Sequence, residues 1–288
     1  MNLKALNYWV LGGFSGEKSP KEAIDNISEM GLDALELTFG DVLTQKITEA
    51  ECKDILQYAK QKRVKLETLS SGNYWNLSLA SENEEEKQNA ITFTKKYIDV
   101  ANWLDIHTIL VVPGAVDIAW DDTKTVTSYQ KVWDISTKSL KELLPYAQKK
   151  DVIIGLENVW NKFLLSPMEW KYYLEQFKSK YIGIYLDAGN VVVNGYPEHW
   201  IEILDKHIVA LQVKNFERKD AAGLLKGFTD DLEKGDLDFV RLKESLKRIN
   251  YRGPITAEMI PFCRLPDMVL PDMELARDTA IKMKKIFG

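Results

Sequence analysis

Three acidic side chains and one amide lie at the ends of apolar runs in this sequence. Glu157 follows the run 152–156 (VIIGL), Asp187 follows 182–186 (IGIYL), and Glu258 follows 254–257 (PITA). A fourth run, 208–214 (IVALQVK), carries Gln212 where the others carry acids. Ionised groups are not buried without a partner, so packing does not explain these side chains. If the runs are parallel strands, the four oxygen donors meet at one point, and this pattern predicts a divalent metal site.

The segments that must position these donors alternate between strand-like and helix-like patterns along the whole chain. Eight strand candidates, with 64–70 as the third, are each followed by a helical pattern, of which the longest covers 126–149. Three helix starts are marked by Ser19-Pro20, a capping box at Thr48, and Ser166-Pro167. Eight βα units without a linker predict one domain, residues 1–288, folded as a single (β/α)8 TIM barrel with its site at the strand ends. An open doubly wound sheet is the alternative, but 11–14 (LGGF) lacks the third glycine of a dinucleotide fingerprint.

Composition and charge argue against several classes of function. The 288 residues carry a formal net charge of −5, so we expect no nucleic-acid partner. No apolar run is long enough to cross a bilayer and no signal pattern opens the sequence, so we expect a cytoplasmic protein without a membrane partner. Cys52 and Cys263 form no zinc or redox spacing, which favours a reducing compartment and an inert thiol at Cys263.

Taken together, the strand-end motifs resemble those of a known family. They occur in the order 155–158 (GLEN), 186–190 (LDAGN), 212–215 (QVKN) and 256–259 (TAEM). They are similar to the motifs of the sugar (phosphate) isomerase/epimerase family, within the xylose-isomerase-like TIM barrel superfamily, and the resemblance spans nearly the whole chain. It implies a metal-dependent enzyme that isomerises or epimerises a small ketose, aldose or sugar phosphate, as a homodimer or homotetramer.

The resemblance also implies the metal ligands, with one departure. The family uses Glu, Asp, His and Glu, which places Glu157, Asp187 and Glu258 in the set and Gln212 at the histidine position. An amide oxygen makes the set all-oxygen, which suits Mn2+ or Mg2+ better than Zn2+ or Co2+, so we expect Mn2+, with the other three ions as alternatives. Two alternatives stay open: Gln212 only fills the space of the histidine by hydrogen bonding, or the site has lost its metal.

The chemistry implied by the resemblance is proton transfer at a carbon next to a carbonyl. This step needs a base, an acid, and a dication that stabilises the charge of an enediolate. Glu157 and Glu258 are the expected catalytic pair on opposite faces of the sugar carbon, each also a ligand, and Asp187 is a ligand only. The expected substrate-binding residues are Asn190, Arg218 and Glu36, together with Trp160 and Trp75 over a sugar face. If the substrate carries a phosphate, the cations near the mouth that can bind it are Lys162, Lys214 and Arg218.

Other interpretations of the same residues stay open. The same proton abstraction can end in β-elimination, as in inosose dehydratase or a keto-sugar lyase. The chain can also be a non-catalytic sugar-binding barrel. Glu157 and Glu258 can be structural ion-pair partners, Asp187 a turn former, and Glu36 a member of a salt bridge inside the barrel.

Overall fold

Eight parallel strands close into one barrel in the computed structural model, which describes residues 2–118, 121, 124–193, 195–221, 227–260 and 271–288. Each strand pairs with the next along the chain, and β8 pairs with β1. The strands are β1 (Lys4–Asn7), β2 (Ala34–Thr38), β3 (Thr68–Ser70), β4 (Thr108–Val111), β5 (Ile153–Glu157), β6 (Ile182–Asp187), β7 (Ile208–Val213) and β8 (Ile255–Ala257). Because the sheet closes on itself, the predicted TIM barrel is confirmed and the open sheet is excluded. Cys263 lies outside the described residues.

Helices surround the barrel and connect its strands. They are α1 (Pro20–Glu29), α2 (Glu49–Lys62), α3 (Glu84–Trp103), α4 (Tyr129–Lys150), α5 (Pro167–Glu175), α6 (Ala188–Val192), α7 (Pro197–Leu204), α8 (Arg218–Ala221), α9 (Phe239–Arg248) and α10 (Met273–Phe287). None of the helices in the described ranges has the length and hydropathy needed to span a bilayer.

The three helix starts predicted from capping residues are confirmed. Ser19, Thr48 and Ser166 each cap a helix with the side-chain oxygen and form a reciprocal capping box with the glutamate three residues later. The start of α4 was predicted too early, because the hydroxyl of Ser128 accepts from the backbone N–H of Lys131 and fixes the first turn there.

The third strand and the segment after the sixth strand also differ from the sequence prediction. The third strand covers only Thr68–Ser70, because the preceding extended segment pairs with β2 through a single bridge between Lys65 and Ala34. Helix α6 was not predicted, and it begins directly after β6 with Asp187 as its N-cap. One of the predicted metal ligands therefore also fixes the turn that leaves the barrel.

The middle of the barrel interior is filled by an aromatic ring. Tyr185 on β6 is fully buried and packs with Leu110 and Ala210. On the neighbouring strand, a Cβ on Gly155 would lie 3.2 Å from the Tyr185 Cβ and 3.1 Å from its ring. The glycine in β5 therefore leaves the space that the Tyr185 ring occupies. The ring fills the interior of the barrel below the strand ends.

Candidate active site

Three carboxylates meet at the carboxyl ends of β5, β6 and β8. Glu157 ends β5, Asp187 ends β6, and Glu258 is the first residue after β8. One oxygen of each lies within 4.8 Å of the other two, and the residues are 7, 0 and 5% exposed, respectively. Like charges at this separation repel one another in a buried site. A compensating cation is therefore required if all three are ionised.

Lys214 supplies one such cation, and its side chain is 6% exposed. Its Nζ lies 2.8 Å from Asp187 Oδ2 and 2.5 Å from Glu258 Oε2. Lys214 is predicted from the sequence as a cation near the mouth that can bind a phosphate, but not as a partner of the predicted metal ligands. The signal for its position is its spacing of two from Gln212. Alternate residues of a strand point to the same face, so a lysine at this spacing follows the amide toward the barrel axis.

Burial and charge shift the pKa values of these groups. Burial, followed by repulsion from Glu258, raises the pKa of Glu157 well above its usual value, while Lys214 opposes the shift. Burial raises the pKa of Glu258 to about 7, again opposed by Lys214. Burial alone would lower the pKa of Lys214, but the carboxylates of Asp187, Glu258 and Glu157 outweigh it and raise that pKa. Lys214 is therefore held as an ammonium ion.

Gln212 belongs to a hydrogen-bond network beneath the carboxylates. It is the register partner of Asp187 on the neighbouring strand, and it is fully buried. Its Nε2 donates to Glu36 Oε1 at 2.9 Å, while its Oε1 has no hydrogen-bond partner among the described residues. The amide is thus oriented by Glu36, which leaves the carbonyl oxygen unpaired.

Glu36 is the acceptor at the centre of this network. Asn7 Nδ2 donates to Glu36 Oε1 at 2.8 Å, and the hydroxyl of Tyr185 donates to Oε2. Glu36 is fully buried, and it is not among the residues that line the cavity at the mouth. The donors to Glu36 among the described residues, Asn7, Tyr185 and Gln212, are neutral groups rather than the cation of a salt bridge. The predicted contact of Glu36 with substrate stays a prediction.

Two asparagines hold the strand ends in position. Asn158 Nδ2 donates to the Asp187 carbonyl at 2.9 Å, and its Oδ1 accepts from the Asp187 N–H at 2.8 Å. Asn190 Nδ2 donates to Glu157 Oε1 at 3.3 Å, and its backbone N–H donates to Asp187 Oδ1 at 2.8 Å. Asn190 therefore contacts two of the predicted ligands. Sequence reasoning gave Asn158 no role of its own, although it directly follows Glu157.

The Asn158→Ala substitution is expected to destabilise the fold. It removes both hydrogen bonds to the Asp187 backbone from a side chain that is 5% exposed, which leaves buried polar groups unpaired. We expect a loss of about 1–3 kcal/mol in the free energy of unfolding, measured by urea denaturation. The matched control is Asn26→Ala on α1, because the half-buried Asn26 side chain makes a solvent-exposed hydrogen bond to the Glu22 carbonyl of its own helix. A change at Asn158 no larger than that of the control would contradict the positioning role.

An open cavity of about 550 Å3 lies above the carboxylates. Glu157, Glu258 and Lys214 line one side, and the loops after β1, β2 and β3 line the other with aromatic and polar side chains. Both predicted stacking residues, Trp75 and Trp160, belong to the lining. A concave site with apolar walls and a few converging polar groups is typical of a small-molecule site.

Two predicted substrate-binding cations make contacts elsewhere. Arg218 donates through Nε to the Val192 carbonyl at 2.8 Å and through Nη2 to the Gly195 carbonyl at 2.6 Å. The Nζ of Lys162 lies 2.5 Å from Asp117 Oδ2. Neither residue is among those that line the cavity, so their contacts with substrate stay predictions.

The donor set fits a hard divalent cation. The three carboxylates and the unpaired Gln212 Oε1 are all oxygen donors, and Mg2+ and Mn2+ prefer such ligands. An unpaired buried carbonyl costs about 1–3 kcal/mol, which a bound cation would offset. With the carboxylates ionised and Lys214 charged, the four side chains carry two net negative charges. One dication would neutralise them.

The chain is similar to several proteins that are named as sugar epimerases. The chain is 24% identical over 276 residues to the D-psicose 3-epimerase of Enterocloster bolteae, which covers 94% of this chain and 85% of that protein. It is 26% identical over 183 residues to the putative L-ribulose-5-phosphate 3-epimerase of Escherichia coli K12, covering 62% of this chain and 60% of that protein. The D-psicose 3-epimerase structure from Clostridium cellulolyticum H10 superposes with a TM-score of 0.76 at 19% identity, over 98% of this chain and 93% of that one.

The family assignment depends on a match to a family profile. The sequence profile of the xylose isomerase-like TIM barrel family matches residues 24–285, which is most of the chain and includes all four strand-end motifs. The closed barrel and its cluster of carboxylates at the strand ends agree with that match. The chain therefore belongs to the xylose isomerase-like TIM barrel family.

Proposed function

We propose that this protein is a divalent-metal-dependent epimerase or isomerase of a small sugar. The observation that carries the proposal is the convergence of Glu157, Asp187 and Glu258 within 4.8 Å of one another beneath an open cavity. Two of the relatives are named as ketose or ketose-phosphate epimerases, which agrees with chemistry at such a site.

The residues divide into two roles according to their access to the cavity. Glu157 and Glu258 line it, so both can reach a bound sugar, whereas Asp187 is fully buried and does not line it. Glu157 and Glu258 would therefore remove a proton from the carbon next to the carbonyl and return it. Asp187 would only hold the metal, together with the Gln212 carbonyl oxygen. A bound dication would stabilise the negative charge that develops on the substrate oxygens.

The cavity favours a sugar without a phosphate. Among the described residues that line it, the only cationic side chain is Lys214, whose ammonium already contacts Asp187 and Glu258. Asp41 adds a further carboxylate to the lining. A phosphate dianion is usually bound by cationic hydrogen-bond donors in the site. Lys162 instead pairs with Asp117, and Arg218 donates to the Gly195 carbonyl. The preferred substrate class is therefore a free ketose.

A substrate panel tests this function. Free ketohexoses and ketopentoses and their phosphates would be incubated with protein and Mn2+, and the products resolved by chromatography. We expect conversion to the C3 epimer or to the aldose, with a higher kcat/KM for a free ketose than for its phosphate. A preference for phosphates would contradict the substrate class. An unsaturated product would show elimination instead of epimerisation.

A second candidate is a sugar-binding barrel that works without a metal. The observation in its favour is Lys214, which already places a positive charge against two of the three carboxylates. This candidate predicts that a ketose binds equally well before and after chelation and is recovered unchanged. The panel with and without Mn2+ separates the two candidates.

A further inference from the structure

We propose that Lys214 is a built-in counter-cation that competes with the divalent metal for Asp187 and Glu258 and thereby lowers the metal affinity of the site. The inference rests on the proposed dication site and adds a residue that the family's ligand pattern does not include. It also accounts for how three carboxylates stay buried together in the absence of a metal.

The ammonium of Lys214 occupies a position between two of the predicted metal ligands. Lys214 Nζ contacts one oxygen of Asp187 and one of Glu258, and these two residues belong to the group whose ligand atoms lie within 4.8 Å of one another. A dication ligated by the same residues would draw on the same oxygens. The lysine and the metal therefore compete for overlapping positions, and the ammonium has to give up at least part of its contacts.

The surroundings of the ammonium provide a place for it after such a displacement. Lys214 Nζ lies 5.5 Å from the ring centroid of Trp160 and 5.6 Å from that of Phe228. Lys214 and Trp160 also line the cavity. An aromatic face attracts a cation within about 6 Å of its centroid. The ammonium can therefore move toward the ring and the cavity without losing all of its stabilising contacts.

Charge determines the direction of the effect. A dication binds the ionised form of the carboxylates, and in that form the lysine and the three carboxylates together carry two net negative charges. Without the charge of Lys214 the same cluster carries three. A dication in a partly desolvated site is attracted more strongly by the second arrangement, because the repulsion by a nearby ammonium is removed. The native lysine thus keeps the apo cluster stable while weakening its hold on the metal.

The test is a Mn2+ titration of chelator-treated protein by isothermal calorimetry. Lys214→Met keeps an unbranched side chain against Trp160 and Phe228 and removes the charge. We expect its Kd for Mn2+ to fall at least tenfold relative to the wild type. The matched control is Lys282→Met, because Lys282 also bridges two carboxylates, Asp231 and Asp278, at 2.6 Å each, but does not line the cavity. Its Kd should stay within twofold of the wild type.

Thermal melting supplies a second readout that does not depend on activity. Apo Lys214→Met should melt below the apo wild type, because its carboxylates have lost their cation, and Mn2+ should raise its Tm by more than that of the wild type. If this variant does not fold without metal, Lys214→Gln, which can still donate to the carboxylates, is titrated in its place. Unchanged or weaker Mn2+ binding in a folded Lys214 variant overturns the inference.

The outcome is separable from that of the proposed function. Tighter Mn2+ binding in the variant, with no sugar converted by the wild type, would support the role of Lys214 and contradict the enzyme proposal. Sugar epimerisation by the wild type, with equal Mn2+ affinity in wild type and variant, would support the enzyme proposal and contradict the role of Lys214. Mn2+ binding by Lys214→Met but not by the wild type would also support the competition.

Discussion

Replacing either Glu157 or Glu258 with glutamine is expected to lower kcat by about 10²–10⁴-fold, the usual contribution of a positioned general acid or base. Glutamine preserves the shape of the side chain and one potential oxygen ligand, so the loss reports the missing carboxylate rather than a cavity. Glu157 and Glu258 line the cavity, whereas Asp187, the third carboxylate, is fully buried and does not line it. Asp187 therefore cannot replace either glutamate at the substrate. The measurement is steady-state kinetics on the best ketose of the panel.

Proton exchange makes this prediction sharper. If each glutamate serves one face of the carbon, each variant should keep the incorporation of solvent deuterium into one epimer and lose it for the other. The control is Glu233→Gln, an exposed glutamate paired with Lys285 away from the cavity, which should keep full activity. A Glu157 or Glu258 variant that is folded and keeps more than a tenth of the wild-type kcat would contradict the assignment.

Removing the divalent metal is expected to abolish turnover and to lower stability. A ligand that binds only the native state stabilises it by about 2.7 kcal/mol at one hundred times its Kd. Since 1 kcal/mol shifts the Tm of a domain of this size class by roughly 2–4 °C, chelation should lower the Tm by several degrees. Activity and Tm should both return when Mn2+ is added back.

Asp187→Asn provides the control for this experiment. Asp187 is fully buried and its Oδ2 contacts Lys214, so the variant removes one charge from the proposed ligand set without opening the cavity. Its Tm should respond to Mn2+ much less than that of the wild type. Full activity after exhaustive chelation, with no change in Tm, would contradict metal dependence and favour the metal-free sugar-binding barrel.

The strand-end acids could be placed from the sequence because of a rule about parallel strands. Each acid follows a buried run, and the carboxyl ends of strands in a barrel all face the same mouth. Glu157, Asp187 and Glu258 were therefore placed at one end of the barrel without knowledge of their distances, and the structure brings them within 4.8 Å of one another. The capping signals at Ser19, Thr48 and Ser166 worked for a similar reason, since the hydrogen bond that starts each helix is local.

Contacts between segments that are far apart in the sequence could not be predicted from the hydrophobic pattern. Glu36 on β2 accepts from Tyr185 on β6 and from Gln212 on β7, across the inside of the barrel. Such pairs depend on the register and closure of the sheet, which the hydrophobic pattern does not determine. The position of Lys214 between Asp187 and Glu258 also depends on the three-dimensional arrangement of three strand ends. The spacing from Gln212 indicates the face of the strand on which Lys214 lies, but it does not indicate which residues Lys214 contacts.

The most direct test of the account is an anomalous difference map, recorded at the manganese edge from crystals grown with Mn2+. We predict one strong peak within about 2.0–2.6 Å of side-chain oxygens from Glu157, Asp187, Glu258 and Gln212, the range expected for hard cations bound by oxygen. A map with no peak at that position, and with the Lys214 ammonium still in contact with Asp187 and Glu258, would contradict it.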